Sequence, residues 1–310
     1  MTSAQSLIGR TVRSRYAQTT KMIYYLTRSP LSTAGLFVTL LYIGLAIFGP
    51  ILVGGNPEFM REVLYYHGQY IYNTPLPPQP AFPFGTTYGG YDIFNGVIKG
   101  ARIDLGVAAL VVLSGAIIGS ILGAIAGYVG GTTSDVIMRL TDIFLSIPFI
   151  VLAVVLLMVL GRTLTSMVEA LVIVWWPYYT RLVRGQVLTI REQKYVEASV
   201  AAGSSSFRTV LRHILPNSIY PIYVQISLDF GNVILTLASL DFLGFGFAGN
   251  NLAEWGNIIG LATSGGGGVE TITSYWWTIL IPGLVLLALV VALNILGDGI
   301  RDVTDPRLRL

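Results

Sequence analysis

The chain has 310 residues, 53% hydrophobic and 11% charged, with a mean hydropathy of +0.68; soluble domains carry about 25% charged residues, so this is a membrane protein. It has no cysteine and only two histidines, His67 and His213, which excludes a disulfide framework, a thiolate metal site and a histidine-based metal site. The net charge of +3 is distributed by membrane topology, not gathered to bind nucleic acid.

Residues 1–31 are polar and basic, with Arg10, Arg13, Arg15, Lys21 and Arg28. They lack the short apolar region and small-residue cleavage site of a secretory signal, and are expected to form a cytoplasmic tail. Stretches of about 20 apolar residues, enough to cross a bilayer, then fall at 32–53, 105–129, 137–160, 166–188, 219–246 and 275–297. The third and fourth are separated only by "GRTLTS" and should form a tight hairpin. With the N-terminus inside, fifteen of the 19 Lys and Arg lie on the cytoplasmic side, the bias of the positive-inside rule. An even number of spans returns the C-terminus inside as well.

Between the first two spans, residues 54–104 form an outer segment. It holds the run "NTPLPPQPAFPFG", which should be extended, not helical, and Tyr65, Tyr66, Tyr70 and Tyr72, which suit interfacial anchoring. A second outer segment, 247–274, carries a flexible Gly265–Gly268 connector. In the second span Gly115, Gly119, Gly123 and Gly127 recur every fourth residue. One small-residue face of this kind lets helix backbones approach closely in lipid.

The loop 189–218 is the unusual piece. In "EASVAAGSSSFRTVLRHILPN" (197–217), Glu197 opens a short helix surfaced by Ala198, Ala201 and Ala202. Gly203 can end that helix in a left-handed conformation, and Ser204, Ser205 or Ser206 can cap the next. Phe207, Val210, Leu211 and Ile214 then form an apolar stripe suited to packing, which Pro216 should terminate. Such a helix–turn–helix knob is built to press against another protein.

This stretch resembles the EAA motif of ABC importer permeases, with Glu197, Ala198, Gly203, Leu215 and Pro216 in the motif's slots. Ser199 stands for its second Ala, and His213 occupies its Ile slot beside Ile214. "FGTTYGGYDIFNGVIKGARIDL", "AEWGNIIG" and "WWTILIPGLVLLALVVALNILGDGIRDVTDPRLR" are similar to the dipeptide/oligopeptide branch, in its C-type subunit. The resemblance implies the type I ABC importer permease fold, an all-α membrane protein of six transmembrane helices with a cytoplasmic EAA coupling helix. The chain then divides into a tail (1–31), the first helix with its outer segment (32–104) and a five-helix permease core (105–310).

The family pattern further implies that Glu197, Ala198, Ser199, Ala202, Gly203, Leu215 and Pro216 couple the permease to a nucleotide-binding subunit. No G-x-x-x-x-G-K-[S/T] loop is present, since none of Lys21, Lys99 or Lys194 follows a glycine. The chain is therefore expected to be non-catalytic and to bind no cofactor, with ATP and Mg held by two partner ATPase subunits. A second, homologous (DppB-like) permease and an extracytoplasmic substrate-binding protein would complete the complex in a prokaryotic plasma membrane. The outer segments are the binding protein's expected landing site. Peptides are the expected cargo, with oligosaccharides or nickel as alternatives. A stand-alone channel would leave the knob unexplained, a secondary transporter would show internal repeats, and an intramembrane protease would need a catalytic pair that is not visible. Acids within spans are costly and invite functional roles. Asp142 is expected to pair with Arg139, whereas Glu169 and Asp229 are open between pathway lining and helix–helix hydrogen bonding. Asp241 lies near an outer end, in "TLASLDFLGFG", where family members often read "TEASLSFLGLG".

Overall fold

The computed structural model describes residues 27–246, 251–264 and 273–304, so most of the N-terminal tail and the Gly265–Gly268 connector lie outside it. Helix α1 spans Pro30–Val53. Ser29 caps it by accepting the Ser32 N–H, and Pro30 takes the first turn, where its missing N–H costs nothing. The outer segment that follows is irregular apart from a hairpin of β1 (Tyr65–Tyr66) and β2 (Gln69–Tyr70). Its two-residue turn, His67 (φ 49°) and Gly68 (φ 79°), has the positive φ values that match strand twist. The proline-rich run contains no helix, as expected.

Helix α2 runs from Ile93 to Val129, 37 residues, and begins twelve residues before the predicted span. At 1.5 Å per residue it is about 55 Å long, well beyond a hydrocarbon core of about 30 Å, so its first turns stand outside the bilayer. Asp92 starts it by accepting the Phe94 and Asn95 N–H groups. The glycine face of α2 packs along helix α5 (Leu164–Arg191). A Cβ on Gly115 would meet Trp175, one on Gly123 would meet Thr180 and Val183, and one on Gly127 would meet Val187. The small-residue stripe is thus a packing seam within the subunit.

The predicted third span is broken. Helices α3 (Gly131–Ser146) and α4 (Phe149–Leu160) meet at 91°. Pro148 removes an N–H and forces Ile147 into extended backbone (φ −95°, ψ 130°), which ends α3. Ring contacts of Phe144 with Trp176 and Phe149 with Trp175 hold both arms against the middle of α5. The knob comprises α6 (Lys194–Ala201), α7 (Ser206–Thr209) and a π turn (Val210–Ile214), which leads into α8 (Leu215–Phe242). Short α9 (Trp255–Ser264) precedes α10 (Trp277–Thr304).

Among the described residues, α1, α2, the Pro221–Phe242 part of α8 and the Trp277–Asp302 part of α10 are each long and apolar enough to cross a membrane. The α3–α4 pair passes the same test jointly. Helix α5 has the length, with 28 residues, but carries Glu169, Arg181 and Arg184 and gains its apolar surroundings from α2. Counting α3–α4 as one bent span gives five that pass, one fewer than the six predicted, and α5 supplies the sixth by length but not by composition. At the end of the molecule that carries the hairpin, Trp255 is fully buried and donates from Nε1 to the Val97 carbonyl (3.0 Å), pinning α9 to α2. Tyr42 of α1 packs edge-on against Trp255 and donates to the Val285 carbonyl (2.7 Å), which joins α1 to α10.

Candidate functional site

The knob grows out of the C-terminal end of α5. Arg191 turns back to donate to the Gly127 carbonyl (3.0 Å), tying the exit of α5 to the end of α2. Helix α6 follows, with Glu197 in its first turn. It ends in a paired arrangement: the Gly203 N–H bonds to Val200 O and the Ser204 N–H to Ser199 O, with Gly203 at φ 83°. This is the left-handed helix stop that glycine permits without strain. Ser205 then caps α7 by accepting the Arg208 N–H (3.4 Å), so one of the three candidate serines takes that role.

Pro216 does not end the second helix. Helix α7 runs through the π turn into α8 without a break, and the Leu215 N–H reaches Val210 O. The missing N–H of Pro216 falls in the first turn of α8, where the register has just changed from π to α. The apolar stripe divides as well. Ile214 is fully buried in a cluster with Val183, Val187 and Val196, whereas Phe207 is 75% and Leu211 49% exposed.

Val196 and Ile214 therefore anchor the knob, and the rest of it is a surface. Glu197, Ala198, Ala202 and Gly203 are exposed, Ser199 and Leu215 are half-buried, and Pro216 is exposed. A depression of about 530 Å³ beside them is lined by Tyr128, Arg191, Glu192, Val196, Glu197, Val200 and Ala201. A flat ledge of small residues lets another surface approach to backbone distance, and exposed Phe207 and Leu211 offer it apolar area. Among the described residues Glu197 makes no ion pair, so its charge is available across such a joint.

The in-span acids are not brought together. Asp142 pairs with Arg181 of α5, not with Arg139. Helix α3 lies on α5 through this pair and through the Arg184 Nε to Ser134 Oγ bond (3.1 Å), and that inter-helix register is invisible in local spacing. Glu169 is exposed on the N-terminal half of α5. Asp229, on α8, is 4% exposed and lies beside Tyr179 of α5. Asp241 is buried near Asp104 and Glu254, at the C-terminal end of α8. Glu254 caps α9 by accepting the Gly256 and Asn257 N–H groups, and Asp104 accepts the Trp255 N–H (3.3 Å), so Glu254 and Asp104 serve structure. Leu237, at the slot where family members carry an acid, is fully buried in the apolar core. No group of three or more acids and histidines among the described residues is arranged for a metal ion.

Residues 119–310 match the family model for the binding-protein-dependent transport system inner membrane component. The chain is 37% identical to the dipeptide transport system permease protein DppC of Escherichia coli (strain K12), covering 92% of each chain. It is 36% identical to the DppC of Alkalihalophilus pseudofirmus, over 92% of this chain and 88% of that one. Among solved structures, the MetNI methionine ABC transporter in an inward-facing conformation superposes with a TM-score of 0.53 at 20% identity, covering 67% of this chain and 96% of that one. That likeness shows the fold alone.

Proposed function

This chain belongs to the binding-protein-dependent transport system inner membrane component family, and from that premise we propose that it is the C-type permease of an importer for dipeptides or short oligopeptides. It is a membrane-embedded permease subunit of an ABC importer, a class that works with ATPase and binding-protein partners. In our reading it pairs with a second, homologous permease and two ATPase subunits in a prokaryotic plasma membrane, with both termini cytoplasmic. ATP and Mg belong to the ATPases. A substrate-binding protein delivers cargo at the outer face.

The observation that carries the coupling role is the ledge itself. A helix of eight residues and the turn that ends it present Glu197, Ala198, Ala202 and Gly203 to solvent while one side chain, Val196, anchors the helix. Apolar side chains such as Phe207 are also left uncovered, as at a surface awaiting a partner. Closure of an ATPase dimer docked there would move the knob, and the π turn would pass that movement into α8 as one continuous helix. Glu197→Lys and Gly203→Asp are expected to abolish ATP-driven uptake of a dipeptide in reconstituted complex while both variants still insert in the membrane. Normal uptake by both would remove the coupling role.

A further inference from the structure

Helix α8 carries a polar face through the membrane. Gln225, Asp229, Asn232, Thr236 and Ser239 follow one another at steps of four, three, four and three residues. That spacing puts all five on one side of the helix, over about 21 Å at 1.5 Å per residue. The two hydroxyls turn back on their own helix, Thr236 to the Asn232 carbonyl and Ser239 to the Leu235 carbonyl (2.7 Å each). The amides do otherwise. Gln225 Nε2 (2.9 Å) and Asn232 Nδ2 (3.4 Å) both donate to Asp229 Oδ1. Asp229 Oδ2 makes no hydrogen bond of good geometry, and the Tyr179 hydroxyl and Trp175 of α5 lie beside it as the nearest donors, with Asp229 and Tyr179 both more than nine-tenths buried. The ion pairs among the described residues are Arg61–Asp92 and Arg181–Asp142, so no cation answers Asp229. Asn232 is exposed and Gln225 and Ser239 are half-buried, so the face reaches the surface of the subunit next to the buried acid.

Asp229 and Thr236 are each 4% exposed, but lipid is a poor cover for Asn232, Gln225 and Ser239 at the surface of this face, because polar groups in hydrocarbon must find partners or water. We infer that the Gln225–Ser239 face of α8 lines the aqueous translocation path, with Asp229 as its specificity-determining residue, receiving the ammonium group of a passing substrate. This rests on the importer reading and narrows it. The carboxylate supplies the charge, the two amides hold it in one orientation, and Trp175 and Tyr179 of α5 lie beside it with their polar groups. A peptide with a free N-terminus has the ammonium group.

The absence of cysteine permits a direct test. In the complete transporter in nanodiscs, Asn232→Cys is reacted with methanethiosulfonates carrying either a trimethylammonium or a sulfonate, and the rates are read by mass on this chain. Tyr65→Cys, on the exposed hairpin, supplies the reference ratio. The cationic reagent should be preferred at residue 232 by about tenfold over that reference, the size of a local field effect. Asp229→Asn should abolish the preference and Asp229→Glu retain it. An Asn232→Cys inert to both reagents, or a ratio indifferent to Asp229→Asn, would overturn the proposal. Uptake of the dipeptide Ala-Ala is measured separately. A roughly tenfold slower uptake in Asp229→Asn, restored by Asp229→Glu, is expected, and unchanged uptake would overturn the ammonium assignment. A transporter that keeps the reagent preference but imports no dipeptide would instead refute the peptide cargo and leave the cation-selecting path in place.

Discussion

At Gly119 a Cβ would sit 2.4 Å from Tyr179 Cβ and 2.6 Å from the Trp176 carbonyl, both parts of the α5 core that cannot swing aside. Overpacking a tight interface costs of order 3 kcal/mol where backbone must shift. Gly119→Val is therefore expected to lower the thermal unfolding temperature in detergent clearly, read from the fluorescence of the adjacent tryptophans. Gly185, exposed on α5 with nothing within 4 Å of a built Cβ, makes the contrast. Gly185→Ala should be neutral or stabilise by up to about 1 kcal/mol through helix propensity. Equal damage by both would mean that the seam is not tight. The four-residue repeat of the glycines was legible because it lies within one helix, whereas the face that it meets was not. Asp142 shows the same limit from the other side. Spacing could offer it only Arg139, three residues away, while its true partner, Arg181, comes from a helix whose register no local pattern encodes.

Elements show where proline is read wrongly. Both Pro148 and Pro216 were visible, yet the first breaks a predicted span and the second fails to break a predicted helix. Hydropathy counts apolar residues and is blind to their direction, so 137–160 reads as one span despite the 91° bend. Pro216 is accommodated because the π turn at Val210–Ile214 ends two residues before it, and such a turn carries one extra residue per loop. That extra residue rotates the knob relative to α8 by about 100°, the angle per residue of an α-helix. Pro216→Ala restores an N–H and with it the option of an unbroken α register. The expected result is a variant that inserts normally and hydrolyses ATP with its partners but imports less substrate per ATP. An unchanged ratio of uptake to hydrolysis would show that the π turn does not set the knob's orientation. The small-residue ledge and the Gly203 stop, by contrast, were legible because their meaning depends on residues within one turn.

For the whole molecule, everything proposed depends on which side of the membrane the knob faces, and that orientation rests on charge placement alone. The exposed apolar side chains of α3 and α4, among them Val136, Leu140, Val151 and Val155, require lipid or another membrane chain around them but do not distinguish inside from outside. The Lys and Arg bias does, because positive loops are retained on the cytoplasmic side. The outer hairpin and the knob lie at opposite ends of the helices, as α2 runs from Asp92 beside the hairpin segment to Gly127 beside Arg191. Single cysteines at Tyr70 on the hairpin and Ser206 on the knob, both exposed, can therefore settle the orientation with one membrane-impermeant thiol reagent. Tyr70→Cys should label in intact cells, and Ser206→Cys only in inside-out vesicles. The reverse pattern would place the knob where no ATP is available, and an ATPase could then not be its partner.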